Sequence, residues 1–186
     1  MISLMLLEKS LRTMIIYKTF KSQFNILIFL LTINLINAGS PETSFLIGSK
    51  APPVSLEKLN GDGFFHLEDT LQLKPVLLLF FSSKNYQSLK MISTIHQIKE
   101  GIRDSDIDFY LVNIFEEKVF LNTFVLDKVF TIPIVLDRYG ISLKMFGSDI
   151  VPTTIVINKG GKISYYLQGF DDLHLENLIL HLRSIQ

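Results

Sequence analysis

The side chains able to do chemistry in this chain are few, and the most reactive type is missing: its 186 residues include no cysteine. Thiol–disulfide exchange needs a thiolate to attack a disulfide sulfur, so the chain cannot carry out that exchange alone. A peroxidatic thiol is excluded for the same reason. The only histidines are His66, His96, His174 and His181. His174 and His181 stand two helical turns apart, not the one turn that brings ligands together, and no cysteine can join them, so neither a metal site nor a cofactor is expected. Glu116-Glu117 and Asp171-Asp172 are adjacent carboxylates that point in different directions on a helix. They read as solvated faces or helix N-terminal acids. A serine or asparagine nucleophile would need a general base within hydrogen-bond reach, and the sequence shows no such constellation. Gly160-Gly161 lacks the strand–loop–helix frame and the terminal Lys-Ser/Thr of a phosphate loop.

The elements that would position any site begin after an apolar leader. Lys18 and Lys21 precede the run Ile26 to Ile33, which ends at Asn34 and passes through Leu35-Ile36-Asn37-Ala38 into Gly39-Ser40-Pro41. Basic residues, a short apolar stretch and a small-residue exit are the order of a secretory signal, and the stretch falls short of the about 20 residues of a spanning helix. The reading is a signal peptide over residues 1–38 cut near Ala38, with an uncleaved anchor or a buried helix as alternatives. Met14 offers a start that would give the signal a more usual length. A polar linker follows over 39–46 and one domain over 47–186. The expected location is secreted or periplasmic, or membrane-anchored with the domain outside the cytoplasm.

Without the leader the chain keeps 14 basic and 17 acidic residues, a formal charge of −3. Such a surface offers no electrostatic footprint for nucleic acid. A domain of about 148 residues can hold a core without disulfides.

Within the domain, Asn60-Gly61-Asp62-Gly63 signals an N-terminal hairpin. Val76 to Phe81 is continuously apolar between Pro75 and Ser82, as in a strand buried on both faces. Leu89, Ile92, Ile95, Ile98 and Ile102 recur at helical spacing, with Gly101 near the end. Ile107–Ile114 reads as strand, the region of Val119, Phe120, Phe124 and Val125 as a short helix, 132–136 as strand and 141–146 as one or two helical turns. Thr153–Ile157 and Ile163–Leu167 form a second hairpin about the turn 158–162, and Leu173, Leu175, Leu178, Ile179 and Leu182 give the closing helix its apolar face. The order predicts an α/β domain with helices on both faces of a central sheet.

Three phrases in this order resemble the thioredoxin-like superfamily, in particular the TlpA/ResA type of the redoxin and AhpC/TSA-like group. They are Ile47-Gly48-Ser49-Lys50-Ala51-Pro52, similar to G-x-x-A-P; Lys74 to Ser83, similar to K-P-V-L-L-x-F-W-A-S; and Val151-Pro152-Thr153-Thr154-Ile155-Val156-Ile157 through Ile163, similar to V-P-T-T-F-L-I-D-x-x-G-K-I. The resemblance implies a thioredoxin fold with a central mixed sheet flanked by helices and an N-terminal β-hairpin extension. Carried over without a gap, it places Lys84 at the tryptophan before the first cysteine, Asn85 at the nucleophilic cysteine and Ser88 at the resolving one. Asn85, or alternatively Ser83, would then serve as an ordinary helix N-cap. Pro152 matches the family's cis-proline and Val151 the residue whose backbone pairs with extended substrates in relatives. Lys84, Tyr86, Val151 and Pro152 are thus the candidates for a peptide groove.

The resulting expectation is a binding or assembly module with no redox catalysis of its own and an exported protein or peptide as partner. Two alternatives stand beside it. One is a thiol-disulfide oxidoreductase by lineage that works only with a partner's thiols, and the other is a structural oligomerisation subunit.

Overall fold

A computed structural model describes residues 47–72, 74–102, 106–126 and 131–185. The expected leader and linker lie outside these residues. The described chain forms β1 (Ser55–Lys58), β2 (Phe64–His66), α1 (Leu67–Leu71), β3 (Val76–Phe81), α2 (Tyr86–Gly101), β4 (Asp108–Ile114), α3 (Lys118–Leu126), β5 (Ile134–Asp137), α4 (Ile141–Met145), β6 (Thr153–Ile157), β7 (Ile163–Gln168) and α5 (Asp172–Ser184). Among the described residues no helix is long and apolar enough to cross a membrane.

All seven strands share one mixed sheet in the order β2-β1-β5-β4-β3-β6-β7. β3, β4 and β5 are parallel, while β1 joins β5, and β6 joins β3, in antiparallel sense. All six side chains of β3 are fully buried, so both faces of the sheet must be covered. On one face Leu77, Leu79 and Phe81 pack with Met91, Ile92, Ile95 and Ile98 of α2 and with Leu178 and Leu182 of α5. On the other, Val76, Leu78 and Phe80 pack with Leu67 and Leu71 of α1, Leu143 of α4, and Phe146. The period-two alternation of a strand and the 3.6-residue stripe of each helix produce these two layers directly.

Beyond shifts of a residue at several element ends, one element and one strand start differ from the sequence reading. α1 was not expected: it spans five residues, with its buried Leu67 and Leu71 one turn apart, which is too little periodicity to register as a helix. β5 starts at Ile134 because Pro133 has no N–H to give to a ladder, although Ile132 is itself buried.

The parallel strands end together. Phe81 lies opposite Asn113, and Ile114 opposite Asp137, while β6 starts at the same edge with Thr153 opposite Phe80. The segments after β3, β4 and β5 and the segment before β6 therefore converge on one side of the domain. Loops at the carboxyl ends of parallel strands carry the sites of many α/β proteins.

At the opposite margin, α5 closes onto β7 through His181, whose Nε2 lies 2.9 Å from Ser164 Oγ and whose ring is 5.5 Å from that of Tyr165. Burial lowers the His181 pKa below the ordinary 6.5. The unfolded chain then binds the proton more readily, so this stability is complete above about pH 6.5 and is lost as pH falls through the lowered folded value. The melting temperature should drop between about pH 7.5 and about pH 5.5, and the drop should be smaller in His181→Gln, with His96, also lowered by burial, supplying part of what remains. Equal pH slopes for the two proteins in differential scanning calorimetry would assign the effect elsewhere.

Candidate functional site

The segment Ser82–Asn85 leaves β3 and turns directly into α2. Asn85 sits in extended conformation at the N-cap and its Oδ1 accepts the Ser88 N–H at 2.8 Å. This satisfies one of the free donors of the first helical turn. Ser88 is completely buried, and its Oγ accepts the Ser82 N–H at 3.4 Å. Asn85 is therefore the cap, and the alternative, Ser83, is used differently. Its N–H points into a carboxylate.

That carboxylate belongs to Glu116, which corrects the sequence reading of Glu116-Glu117 as a solvated pair. Glu116 is only 6% exposed. Its Oε1 accepts Ser82 Oγ–H at 2.6 Å and Ser83 N–H at 2.8 Å, and its Oε2 accepts Asn113 Nδ2–H at 3.1 Å. Ser82 Oγ in turn accepts the Lys84 N–H at 3.2 Å. A buried charge is tolerated only when hydrogen-bonded, and here one anion ties the end of β4 to the turn before α2. Glu117 alone keeps the expected solvated character, with a distant ion pair to Arg138 at 3.9 Å.

The sequence also gave no hint that a serine would lie within reach of a carboxylate, as Ser82 does. The reason is topological. Glu116 follows β4 and Ser82 follows β3, and only the parallel pairing of those strands brings residues 34 apart together. Oε1 already takes two donors, so the geometry is that of a clamp on the turn.

Phe115, just before Glu116, was missed as well. Its φ is +60°, the only described non-glycine residue in the left-handed region, where a bulky side chain costs about 1–2 kcal/mol. Its ring, 62% exposed, lies over Gly140. A Cβ at Gly140 would come within 2.5 Å of Phe115 Cζ, so Gly140 provides both the space and its own φ of +64°. Next to Gly140, Asp137 is buried and caps α4, accepting Ile141 N–H at 2.9 Å and Leu143 N–H at 3.1 Å. Beyond it a cleft of about 340 Å³ opens, lined by Val54, Leu56, Phe64, Tyr139, Ile141 and Met145.

On the other flank of β3 the Val151–Pro152 peptide is cis. Thr153 Oγ1 donates to Ile150 O at 2.8 Å and lies 2.9 Å from Ser148 Oγ, which also accepts from Gln168 Nε2 at 2.9 Å. This turn is held by side chains and by Gly169 N–H on Pro152 O at 2.7 Å. Of the groove candidates, Lys84 and Tyr86 are exposed, Val151 is half-buried and Pro152 is buried. The pairing of β3 with β6 sets all four on the same edge of the sheet.

Removing the Glu116 carboxylate would leave the Ser82 and Ser83 donors without their acceptor, a loss of about 1–3 kcal/mol. Glu116→Ala should therefore lower the unfolding free energy measured in urea by that amount, whereas Glu117→Ala should change it by less than about 0.5 kcal/mol. Equal effects for the two would remove the clamp from the account.

Comparison with known proteins agrees with this geometry. The model of the AhpC/TSA family matches residues 47–166. The thiol-disulfide oxidoreductase ResA of Geobacillus thermodenitrificans is 27% identical over 150 residues, covering 81% of this chain and 84% of that protein. Among solved structures, a protein of Chlorobium tepidum described as the thiol:disulfide interchange protein DsbE superposes with a TM-score of 0.67 at 20% identity, over 75% of this chain and 96% of the other. A protein of Bacteroides thetaiotaomicron described as a protein disulfide isomerase gives the same TM-score at 18% identity, over 75% and 89%. The structural neighbours establish the thioredoxin fold, and the family match covers most of the described domain. The chain belongs to the AhpC/TSA family, as a thioredoxin-fold member related to thiol-disulfide oxidoreductases that has no cysteine of its own.

Proposed function

We propose that this protein is an exported binding or assembly module that recognises an extended protein segment at the edge formed by Lys84, Tyr86, Val151 and Pro152, and that it has no redox catalysis of its own. The positions that match the family's cysteines are Asn85 and Ser88, an N-cap and a buried hydroxyl, and neither can form a disulfide. The leader, which carries the order of a secretory signal, supports the exported location.

The observation that carries the binding reading is Phe115. Glycine would occupy a φ of +60° without steric cost, yet a phenyl ring stands there, largely in solvent. Backbone strain of this kind concentrates at functional sites, which supports a role for the ring in recognition. Tyr86 at 80% exposure and Ile150 at 46% add apolar surface on the same edge of the sheet. Aromatic anchors of this kind dominate the energetics of protein recognition.

The family relation to oxidoreductases keeps one other reading in view, action through a partner's thiols. Purified protein should reduce insulin and consume peroxide no faster than a buffer blank, and activity above the blank would overturn the module reading. For binding, exported proteins captured by wild type should be lost with Val151→Asp. Recovery of the same set by both proteins would discard the groove.

Phe115→Gly should reduce the same capture while leaving unfolding stability within about 1 kcal/mol of wild type, because relief of strain offsets the added chain entropy. A large loss of stability with intact capture would make the ring a packing residue instead.

A further inference from the structure

The hairpin turn Asn60-Gly61-Asp62-Gly63 is far from the edge described above and plays no part in it. We propose that Asn60 is a site of spontaneous covalent modification: intramolecular deamidation through the Gly61 backbone nitrogen, giving aspartate and isoaspartate at this position.

The chemistry needs an asparagine side chain free to swing onto the next backbone nitrogen, and a following residue that does not obstruct the approach. Asn60-Gly61 is the only Asn-Gly pair in the chain. Asn60 and Gly61 are both exposed, and Gly61 adopts φ +85° with open space where a Cβ would stand. Among the described residues no hydrogen bond holds the Asn60 side chain or the Gly61 N–H. The flanking restraints are Leu59 N–H on Ile134 O at 2.9 Å and Lys58 N–H on Gly63 O at 3.1 Å, which hold the base of the turn without touching either group.

The other described asparagines are held by their surroundings. Asn85 caps α2, and Asn113 stands in β4 with its amide donating to Glu116. Asn122 and Asn177 lie inside helices, where neighbouring backbone nitrogens are engaged in the helical ladder. Asn158 accepts the Lys162 N–H at 3.0 Å and is followed by lysine. Only Asn60 combines a free amide, a free neighbouring N–H and a glycine.

In the reaction the Gly61 nitrogen attacks Asn60 Cγ and gives up its proton. A C–N bond forms, the Cγ–Nδ2 bond breaks, and ammonia leaves with the proton, closing a five-membered succinimide. Water then opens the ring at either carbonyl, so the chain resumes through the main-chain carbonyl as aspartate or through the side-chain carbonyl as isoaspartate. No oxidant, reductant or metal is needed.

The product adds one negative charge, and in the isoaspartate form one carbon to the backbone of the turn that sets the register of β1 on β2. That register places Leu56 opposite Phe65 and Glu57 opposite Phe64. Leu56 and Phe64 line the cleft beside α4, and Glu57 bridges Lys118 at 3.2 Å and Arg138 at 2.8 Å. Deamidation at Asn60 therefore acts on the hairpin wall of that cleft.

The test ages the folded full-length protein in mildly alkaline buffer at physiological temperature. At intervals it is digested with trypsin and followed by liquid chromatography and fragment-ion mass spectrometry. The peptide Leu59–Lys84, uncut at Lys74 because Pro75 follows, should split into species that carry the mass change of NH2 to OH at Asn60, at a rate within about tenfold of a synthetic peptide of the same sequence. The peptide Met145–Lys159, which holds Asn158, should remain unchanged over that period, and Asn60→Gln should abolish the split. A folded-state rate slower than the synthetic peptide by more than about tenfold would show that the hairpin protects the turn and would overturn the proposal. So would conversion at Asn158 as fast as at Asn60, since the selectivity argued from structure would then be absent.

Discussion

Every contact of the β3 side chains is with protein. Val76 to Phe81 have no water on either face, which demands a helix layer above and below and parallel or antiparallel neighbours on both sides. Burying a large aliphatic or aromatic side chain is worth about 1.5–3 kcal/mol, so six in succession outweigh any local preference of the segments that cover them. α1, only five residues long, could not stand as an isolated helix; it exists because Leu67 and Leu71 complete the layer over Leu78 and Phe80. The same requirement fixes where β3 ends. Once Phe81 is buried and Ser82 is not, the chain must turn at the edge where β4 and β5 also stop.

Glu116 converts that shared edge into a defined surface. An anion at this depth needs several donors, and those available are Ser82, Ser83 and Asn113, from the turn that follows β3 and from the end of β4. The result is a turn whose conformation is fixed before α2 begins. Asn85 then meets Ser88 in cap geometry, and Tyr86 projects into solvent from the first helical turn. Phe115 reaches its left-handed conformation between the same fixed points. Its N–H lies 3.4 Å from Asp137 O, its ring covers Gly140, and its successor is anchored by three hydrogen bonds.

Much of this architecture was legible in the sequence, for reasons that can be named. β3 could be read to the residue because an unbroken apolar run between a proline and a serine has few other interpretations. α2 and α5 declared themselves by periodicity, and the phrase around Val151-Pro152 by resemblance. The N-cap role of Asn85 followed from the register of that resemblance together with capping propensity, with Ser83 the alternative. What stayed hidden depends on contacts between strands distant in sequence. Glu116 looks like its neighbour Glu117 until the pairing of β3 with β4 decides which of the two turns inward. Phe115 carries no sign of a positive φ, since its residue type is among the last expected there, and the compensating glycine is 25 residues away. A five-residue helix offers too few turns for periodicity to detect.

The fold and the chemistry of the family are separable at one place, and the cap shows why. A cysteine at the start of α2 would be stabilised as a thiolate by the helix dipole and the free N–H groups. Asn85 answers the same electrostatic demand with a neutral carbonyl oxygen on the Ser88 N–H, so the helix loses nothing by the exchange. Ser88, fully buried, fills a small polar position without requiring a sulfur partner, and Glu116 holds the preceding turn through the Ser83 N–H. Nothing in the packing of β3, α2 or the Val151–Pro152 turn depends on a disulfide. The edge that carries Tyr86 and Phe115 is thus shaped by strand ends, a cap and a buried carboxylate, with no part of it resting on sulfur chemistry.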